Sequence, residues 1–345
     1  MNNVQKEALM EFTVNIFKSL GVPENDAEIA ADVLVQADIR GTETHGVSRL
    51  PLYAKRVKAG LVNTTPEIKI EQREGVFIVD GDHGLGSVVT NAAIESCIRM
   101  AREIGIAAAV IKNTNHFGIA AYYALKAIDN DMIGFITTNT TPCMAPFGGC
   151  EALIGTNPIA IGIPSGTSLP IVLDMATSIT THGRLEVAYR RHERIPLGWA
   201  LDEQGKPTDN PGKAMHGTVL PIAGPKGYGL AVIVDVLAGV LSGSAYGRAI
   251  NNIVADKKPE NIGHFLLAVD PNRFMPIDTF KERMDDYIAE IKSSSKAHGT
   301  KQIFLPGEIE FMKAEKHQKS GIPLDEKLVE NLSKLAQELN VTWSF

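Results

Sequence analysis

Ala107-Ala108-Ala109-Val110-Ile111-Lys112-Asn113-Thr114-Asn115-His116-Phe117-Gly118-Ile119 is a short apolar run that ends in a polar turn and passes into a helical pattern reaching Asn130. Small and β-branched residues over Ala107–Ile111, stopped by turn formers, predict a strand, and the periodicity after Ile119 predicts a helix. A strand, tight turn and helix in succession is the unit from which α/β folds are assembled, and turns at strand ends face their clefts. His116 therefore stands where chemistry is expected.

The same alternation continues on both sides. Upstream, 4–20 and 24–40 read as amphipathic helices separated by Gly21-Val22-Pro23, with Asn25 or Asp26 as a cap, and a third helix starts near Val47 and ends by Gly60. That start puts His45 just before a helix N-terminus and Arg49 in its first turn. Residues 68–71 and 76–80 read as strands, and 87–104 as a long helix. Downstream, 133–138, 158–164 and 169–174 read as strands, 182–211 as a polar surface excursion, and 226–243 as an apolar helix. A strand over 264–269 and helices over 277–292 and 324–339 complete the pattern. Alternation of this kind predicts an α/β or α+β protein.

Bulk properties narrow the possible functions. The 345 residues are 44% hydrophobic and 21% charged, the composition of an ordinary globular protein large enough for two or three domains. A net charge of −6 lacks the basic balance of a phosphate-backbone binder, so nucleic acid is not an expected partner. The first residues lack a basic, then apolar, leader, and the run 229–241 is shorter than the roughly 20 residues of a membrane span. No membrane association and a cytoplasmic location are expected. Cys97, Cys143 and Cys150 match no metal or redox spacing and read as core-filling thiols.

Two segments carry candidate chemistry. Thr44-His45-Gly46-Val47-Ser48-Arg49 and Asn115-His116-Phe117-Gly118 each set an imidazole among glycines and small polar residues. Imidazole exchanges protons near neutral pH, and the planar guanidinium of Arg49 matches a carboxylate. A dinucleotide site of the Gly-x-Gly-x-x-Gly type is absent: Gly84-Leu85-Gly86 and Gly227-Tyr228-Gly229 are each followed by valine where the third glycine belongs. Asp235, on the apolar helix, predicts a buried hydrogen bond.

Read in order, Asp38-Ile39-Arg40-Gly41-Thr42-Glu43-Thr44-His45-Gly46-Val47-Ser48-Arg49, Asn115-His116-Phe117-Gly118, Gly155-Thr156-Asn157-Pro158, Asp174-Met175-Ala176-Thr177-Ser178, Pro225-Lys226-Gly227-Tyr228-Gly229-Leu230 and Leu305-Pro306-Gly307-Glu308 resemble the malate/L-lactate dehydrogenase family that is unrelated to the Rossmann enzymes. Its archaeal-type malate dehydrogenases are closest in character, and it includes ureidoglycolate and sulfolactate dehydrogenases. The resemblance implies a non-Rossmann α/β fold with a mixed sheet. It implies a helical N-terminal part (1–70), a middle domain (71–120 plus 265–345) and a central cofactor-binding domain (121–264). It also implies a homodimer and an oxidoreductase that interconverts 2-hydroxy and 2-oxo acids with NAD or NADP, malate and oxaloacetate first, lactate, ureidoglycolate or sulfolactate as alternatives.

Within that resemblance His116 and His45 are the acid/base candidates, and Arg49 with Thr44 the substrate-binding ones. Thr44 departs from the serine common in the family. Asp174, Met175, Ala176, Thr177 and Ser178 offer a carboxylate, hydroxyls and backbone donors to the cofactor, and Lys226 with Gly227 offers a cation and bare N–H groups to a pyrophosphate. Thr140, Asn157, Pro306, Gly307 and Glu308 complete the cofactor set. The basic residues His182, Arg184, Arg190, Arg191 and His192 read as a solvated face, with an NADP phosphate as the alternative. A different class, a lyase or hydrolase with His45, His116 and Asp174 on a divalent ion, lacks supporting spacing, and no metal is expected.

Overall fold

The computed structural model describes residues 2–255, 257–343 and 345. The chain opens with β1 (Asn2–Val4), α1 (Lys6–Ser19), α2 (Glu24–Ile39) and α3 (Leu50–Lys58). Apolar residues at helical spacing, Leu9, Phe12 and Ile16 on α1 and Ala27, Ala30 and Leu34 on α2, meet in one buried cluster. Neither Asn25 nor Asp26 caps α2. Pro23 occupies the cap position, its fixed φ suiting a helix start. The third helix begins at Leu50 rather than Val47, so Arg49 precedes it, in a 3₁₀ turn.

The middle of the chain forms a seven-stranded sheet. Its elements in chain order are β2 (Lys69–Arg73), β3 (Val76–Asp80), α4 (Gly86–Ile104), β4 (Ile106–Thr114), α5 (Ala120–Ile128), β5 (Ile133–Thr138), β6 (Ile159–Ile163) and β7 (Ile171–Met175). Next come α6 (His182–Arg190), β8 (Ala200–Leu201), β9 (Pro207–Thr208), α7 (Pro211–His216) and β10 (Thr218–Val219). The chain ends with α8 (Pro225–Asp235), β11 (Ile262–Val269), α9 (Ile277–Ser293), α10 (Glu308–Ser320), β12 (Ile322–Leu324) and α11 (Glu326–Leu339).

The sheet order is β2-β3-β4-β11-β5-β6-β7. Only β3 and β4 run parallel; every other neighbouring pair is antiparallel. The sheet holds one parallel βαβ unit, β3-α4-β4, and is otherwise antiparallel, so it is not the doubly wound parallel sheet whose first βαβ turn carries the glycine fingerprint. β11 arrives from far along the chain and fills the place between β4 and β5, so the sheet is continuous across residues 120 and 264. The helices α4 and α5 cover one face, burying Ala93, Cys97, Ala101, Tyr123 and Ala127 against Ala107, Ala109, Ile136 and Leu266. The turns after β4 and β7 and the entry to β11 open toward α2 and α3.

Residues 182–211, expected as a surface excursion, are folded. α6, α7 and a three-stranded sheet of order β10-β8-β9 enclose Leu185, Ile195, Ala200, Ala214 and Val219. Each short element contributes only one or two apolar residues, too few for a periodic signal. α10 and the β1–β12 pair were likewise unmarked in the sequence. Asp235 has the expected partners: Asn139 Nδ2 donates to Oδ1 at 2.9 Å and the Gly247 N–H to Oδ2 at 3.1 Å. Past Asp235 the helix widens into a π turn, Val236–Val240. Cys97 is buried, Cys150 exposed, and neither they nor Cys143 form a disulfide. No helix among the described residues is long and apolar enough to cross a membrane.

Candidate active site

The turn between α2 and α3 is shaped by a carboxyl group. Asp38 is 2% exposed, and its Oδ2 accepts the Val47 N–H at 2.7 Å. Gly46 crosses directly over it; a Cβ there would lie 1.9 Å from Asp38 Oδ1, so only glycine allows the crossing. The result is two successive 3₁₀ turns, Glu43–His45 and Val47–Arg49, which present Thr44, His45 and Arg49 to one cleft. Burial raises the Asp38 carboxyl to about 8, so it sits there largely protonated at neutral pH.

His116, from the turn between β4 and α5, meets His45 in that cleft. Their rings stack with centroids 5.4 Å apart and planes 28° from parallel. Thr44 Oγ1 lies 2.9 Å from His45 Nδ1. Burial, then the Arg49 charge, lowers His45 to about 4, and burial with Arg49, His45 and His264 holds His116 well below its usual value. Both rings are neutral at pH 7. Arg49 donates from Nε to the Thr44 carbonyl at 2.6 Å, which leaves both terminal nitrogens of its fork without a hydrogen bond among the described residues.

Three further residues belong to this cluster, and sequence reasoning missed them. Tyr53 is four residues past Arg49, one helical turn on, and its Oη lies 2.6 Å from His116 Nδ1. That spacing was the available signal. Glu260 is 3% exposed and its Oε2 accepts the His116 N–H at 3.0 Å. It follows Lys257-Lys258-Pro259, a context that reads as solvated loop. His264, on β11, is fully buried, with Nδ1 2.7 Å from Thr138 Oγ1 and its ring edge-on to Phe117.

The expected cofactor segments are brought together. The Ile222 N–H donates to the Thr177 carbonyl at 2.9 Å, and Ser178 forms a bridge with Pro221. Gly227, in the first turn of α8, lies so close to Ile222 that a Cβ would meet its carbonyl oxygen at 2.1 Å. The Asp174–Ser178 segment, the end of β7 and the turn after it, and the Lys226-Gly227 helix start are thus adjacent, and Lys226 is exposed without an ion pair among the described residues. Asp174 joins this half to the other: its Oδ2 accepts the Ala121 N–H at the start of α5, 3.0 Å away, five residues beyond His116. Its side chain is open to solvent yet crowded enough by surrounding protein to raise the carboxyl to about 6.

Other expected cofactor residues are engaged in holding the loops. Asn157 is fully buried: its Oδ1 accepts the Thr140 N–H at 3.0 Å and its Nδ2 donates to the Ala231 carbonyl at 3.0 Å. Its amide ties Thr140 to α8. Thr177 turns its hydroxyl to the Thr156 carbonyl, and Ser178 to the Thr180 carbonyl. The Pro306 carbonyl accepts the Val172 N–H, pinning β7, and Glu308 accepts from Lys292, Gln302 and the Leu305 N–H. Met175 and Ala176 are half-buried in the loop, while His182, Arg184, Arg190, Arg191 and His192 lie exposed on or just beyond α6. Among the described residues no three His, Cys, Asp or Glu side chains converge as metal ligands would.

Comparison with known proteins gives this arrangement a lineage. The family model described as malate/L-lactate dehydrogenase matches residues 4–333. The malate/(S)-sulfolactate dehydrogenase of Methanothermus fervidus is 40% identical over 343 residues, covering 99% of each chain. The ureidoglycolate dehydrogenase (NAD(+)) of Escherichia coli (strain K12) is 32% identical, over 95% of this chain and 94% of its own. The solved sulfolactate dehydrogenase of Methanocaldococcus jannaschii superposes with a TM-score of 0.93 at 40% identity, covering 99% of this chain and 98% of that one. With its mixed sheet and its paired histidines, the chain belongs to the malate/L-lactate dehydrogenase family, and the homologues named above are dehydrogenases acting on 2-hydroxy acids.

Proposed function

We propose that the chain interconverts malate and oxaloacetate, with NAD as the hydride carrier and NADP as the alternative. The observation that carries this reading is the fork of Arg49, whose terminal nitrogens make no hydrogen bond among the described residues, beside two neutral imidazoles. A guanidinium with both terminal nitrogens free binds a carboxylate through two parallel hydrogen bonds and so fixes the carbon next to it. The imidazoles then lie within reach of the oxygen on that carbon.

The two rings divide the proton chemistry. The Gly118 N–H donates to His116 Nδ1 at 3.2 Å, which leaves the proton of the neutral ring on Nε2. His116 in that tautomer donates to the reacting oxygen. His45 pairs through Nδ1 with a hydroxyl that accepts as readily as it donates, so its Nε2 is free to act as base. During oxidation the hydroxyl proton passes to His45, the C2 hydride leaves, and the C2–O bond becomes a carbonyl. Reduction runs the same steps in reverse.

The other half of the cleft suits a dinucleotide. Lys226 and the first turn of α8 match a pyrophosphate, and the carboxylate of Asp174 matches ribose hydroxyls. A bound nicotinamide supplies the hydride acceptor or donor at C2. Leu230, Ile233, Val236 and Val240 form an exposed apolar stripe along α8 and its π turn, three or four residues apart, and we assign this face to a second copy of the chain.

Replacing Arg49 with lysine tests the reading. The lysine keeps the charge and loses the fork, so KM for the acid rises about tenfold or more while the cofactor KM holds. An unchanged acid KM contradicts the assignment.

A further inference from the structure

We propose that Arg56 and Glu260 are positioning residues that aim His116. Arg56 draws the chain ahead of β11 inward, and Glu260, carried in with it, holds the His116 N–H so that the Nε2 proton of the ring faces the reacting oxygen. The inference rests on the reading of His116 as a donor to that oxygen, and it adds the residues that set the direction of the donated bond.

Tyr53 and Arg56 lie three residues apart on one face of α3, and both are buried, 8% and 4% exposed. Tyr53 reaches His116 directly, with Oη 2.6 Å from Nδ1. Arg56 reaches it through the chain. Its two terminal nitrogens donate to the Ile253 and Lys258 carbonyls at 3.1 and 3.3 Å, a pairing that suits the planar fork of a guanidinium. Asn251 closes the same clamp: its N–H donates to the Glu260 carbonyl at 3.2 Å and its Nδ2 to the Pro259 carbonyl at 2.6 Å, while its own carbonyl accepts from Thr141 Oγ1 at 3.2 Å. Glu260 is thereby buried, and its Oε2 accepts the His116 N–H at 3.0 Å.

These bonds take away the freedom of the ring. The His116 backbone is held at its N–H by Glu260, and Gly86 of α4 lies so close to the turn that a Cβ there would fall 2.6 Å from the His116 carbonyl oxygen. The ring is held at Nδ1 by Tyr53 and the Gly118 N–H. Only χ1 and χ2 separate the two anchors, so with both in place Nε2 has one direction. Release of the backbone anchor lets the ring move off line, and a misplacement of about 1 Å at a reacting centre costs on the order of a hundredfold in rate.

The charges agree with this role. A buried guanidinium is costly unless its donors and its charge are used. Arg56 uses two donors on carbonyls, and its charge, with that of Arg49, opposes the burial that raises the Glu260 carboxyl to about 7. Ionised or protonated, the carboxyl keeps an oxygen that accepts the His116 N–H, so the anchor holds in either state.

The test is a set of steady-state measurements of oxaloacetate reduction. Glu260→Met keeps the length of the side chain and removes the acceptor, and kcat is expected to fall about tenfold or more while KM for the acid and for the dinucleotide stays within about twofold. Glu260→Gln retains an acceptor and recovers most of that loss, to within about threefold of the wild-type protein. Because Glu260 acts through the ring, the double variant of Glu260→Met and His116→Gln is slower than His116→Gln alone by no more than about twofold. A Glu260→Met protein with wild-type kcat overturns the inference, as does a Glu260→Gln protein as slow as Glu260→Met, or a full additional loss in the double variant. Should Glu260→Met fail to fold, Arg56→Lys, which keeps the charge and loses the fork, decides by the same comparison, alone and together with His116→Gln. Absence of turnover by the wild-type protein with every 2-oxo acid overturns the dehydrogenase reading itself, and the inference with it.

Discussion

Tyr53 Oη and His116 Nδ1 are 2.6 Å apart, a hydrogen bond that joins a phenol on α3 to an imaidazole on the β4–α5 turn. Burial keeps the phenol above its usual pKa, so Tyr53 stays a neutral donor. Together with the Gly118 N–H it makes Nδ1 an acceptor and keeps the ring proton on Nε2. Tyr53→Phe removes one of these two donors and retains the ring. We expect kcat to fall about 3- to 10-fold, the equivalent of one hydrogen bond of about 0.5–1.5 kcal/mol, with KM for the acid changed less. Steady-state kinetics on the variant, with ¹⁵N chemical shifts of His116, measure both effects.

The Asp38 carboxyl predicts a stability that declines as pH rises from about 4 to about 8 and levels off above. Its folded-state value is about 8, against an ordinary value near 3.8, so the folded protein keeps a proton that the unfolded chain releases. That contribution is fully present below the ordinary value and is lost as pH rises through 8. Urea midpoints of the wild-type protein should drop between pH 5 and pH 8 and change little from this group above that. Asp38→Asn, which keeps an acceptor for the Val47 N–H and cannot ionise, should show a smaller drop. Equal drops in the two proteins contradict the assignment.

Lys226 is the exposed cation at the start of α8, where the helix offers N–H groups to an anion. Lys226→Met should weaken binding of the reduced dinucleotide about tenfold at low salt, the scale of a charge-assisted contact, and the gap should narrow as salt is raised. Fluorescence titration at two ionic strengths measures this. Affinity for the acid should change less than affinity for the dinucleotide.

How far the sequence discloses this molecule depends on the kind of signal each part leaves. Helices such as α4 and the strand β4 bury one face for many residues, and their periodicity marks them. The place of β11 between β4 and β5 is a long-range pairing, and nothing within Ile262–Val269 points to its neighbours. The site divides in the same way. His45, Arg49 and His116 stand in compact motifs of glycine and polar residues that single them out, and the fold brings the two imidazoles together. Tyr53 shows only as a helical spacing from Arg49. Glu260 depends on the Arg56 clamp, made by a residue about 200 positions earlier in the chain, so its polar surroundings in sequence suggested a surface loop. Asn157 shows the converse: a polar residue within a motif whose amide proves to tie the Thr140 loop to α8.

In the reaction proposed above, hydride passes between a nicotinamide and C2 of an acid bound at Arg49. Its most direct measurement uses reduced nicotinamide dinucleotide carrying deuterium at the transferable position, incubated with the protein and oxaloacetate, followed by mass and NMR analysis of the acid. The expected product is malate with deuterium at C2, formed in step with oxidised cofactor and suppressed in His45→Gln. Oxaloacetate recovered unreduced, or malate without deuterium at C2, would contradict it.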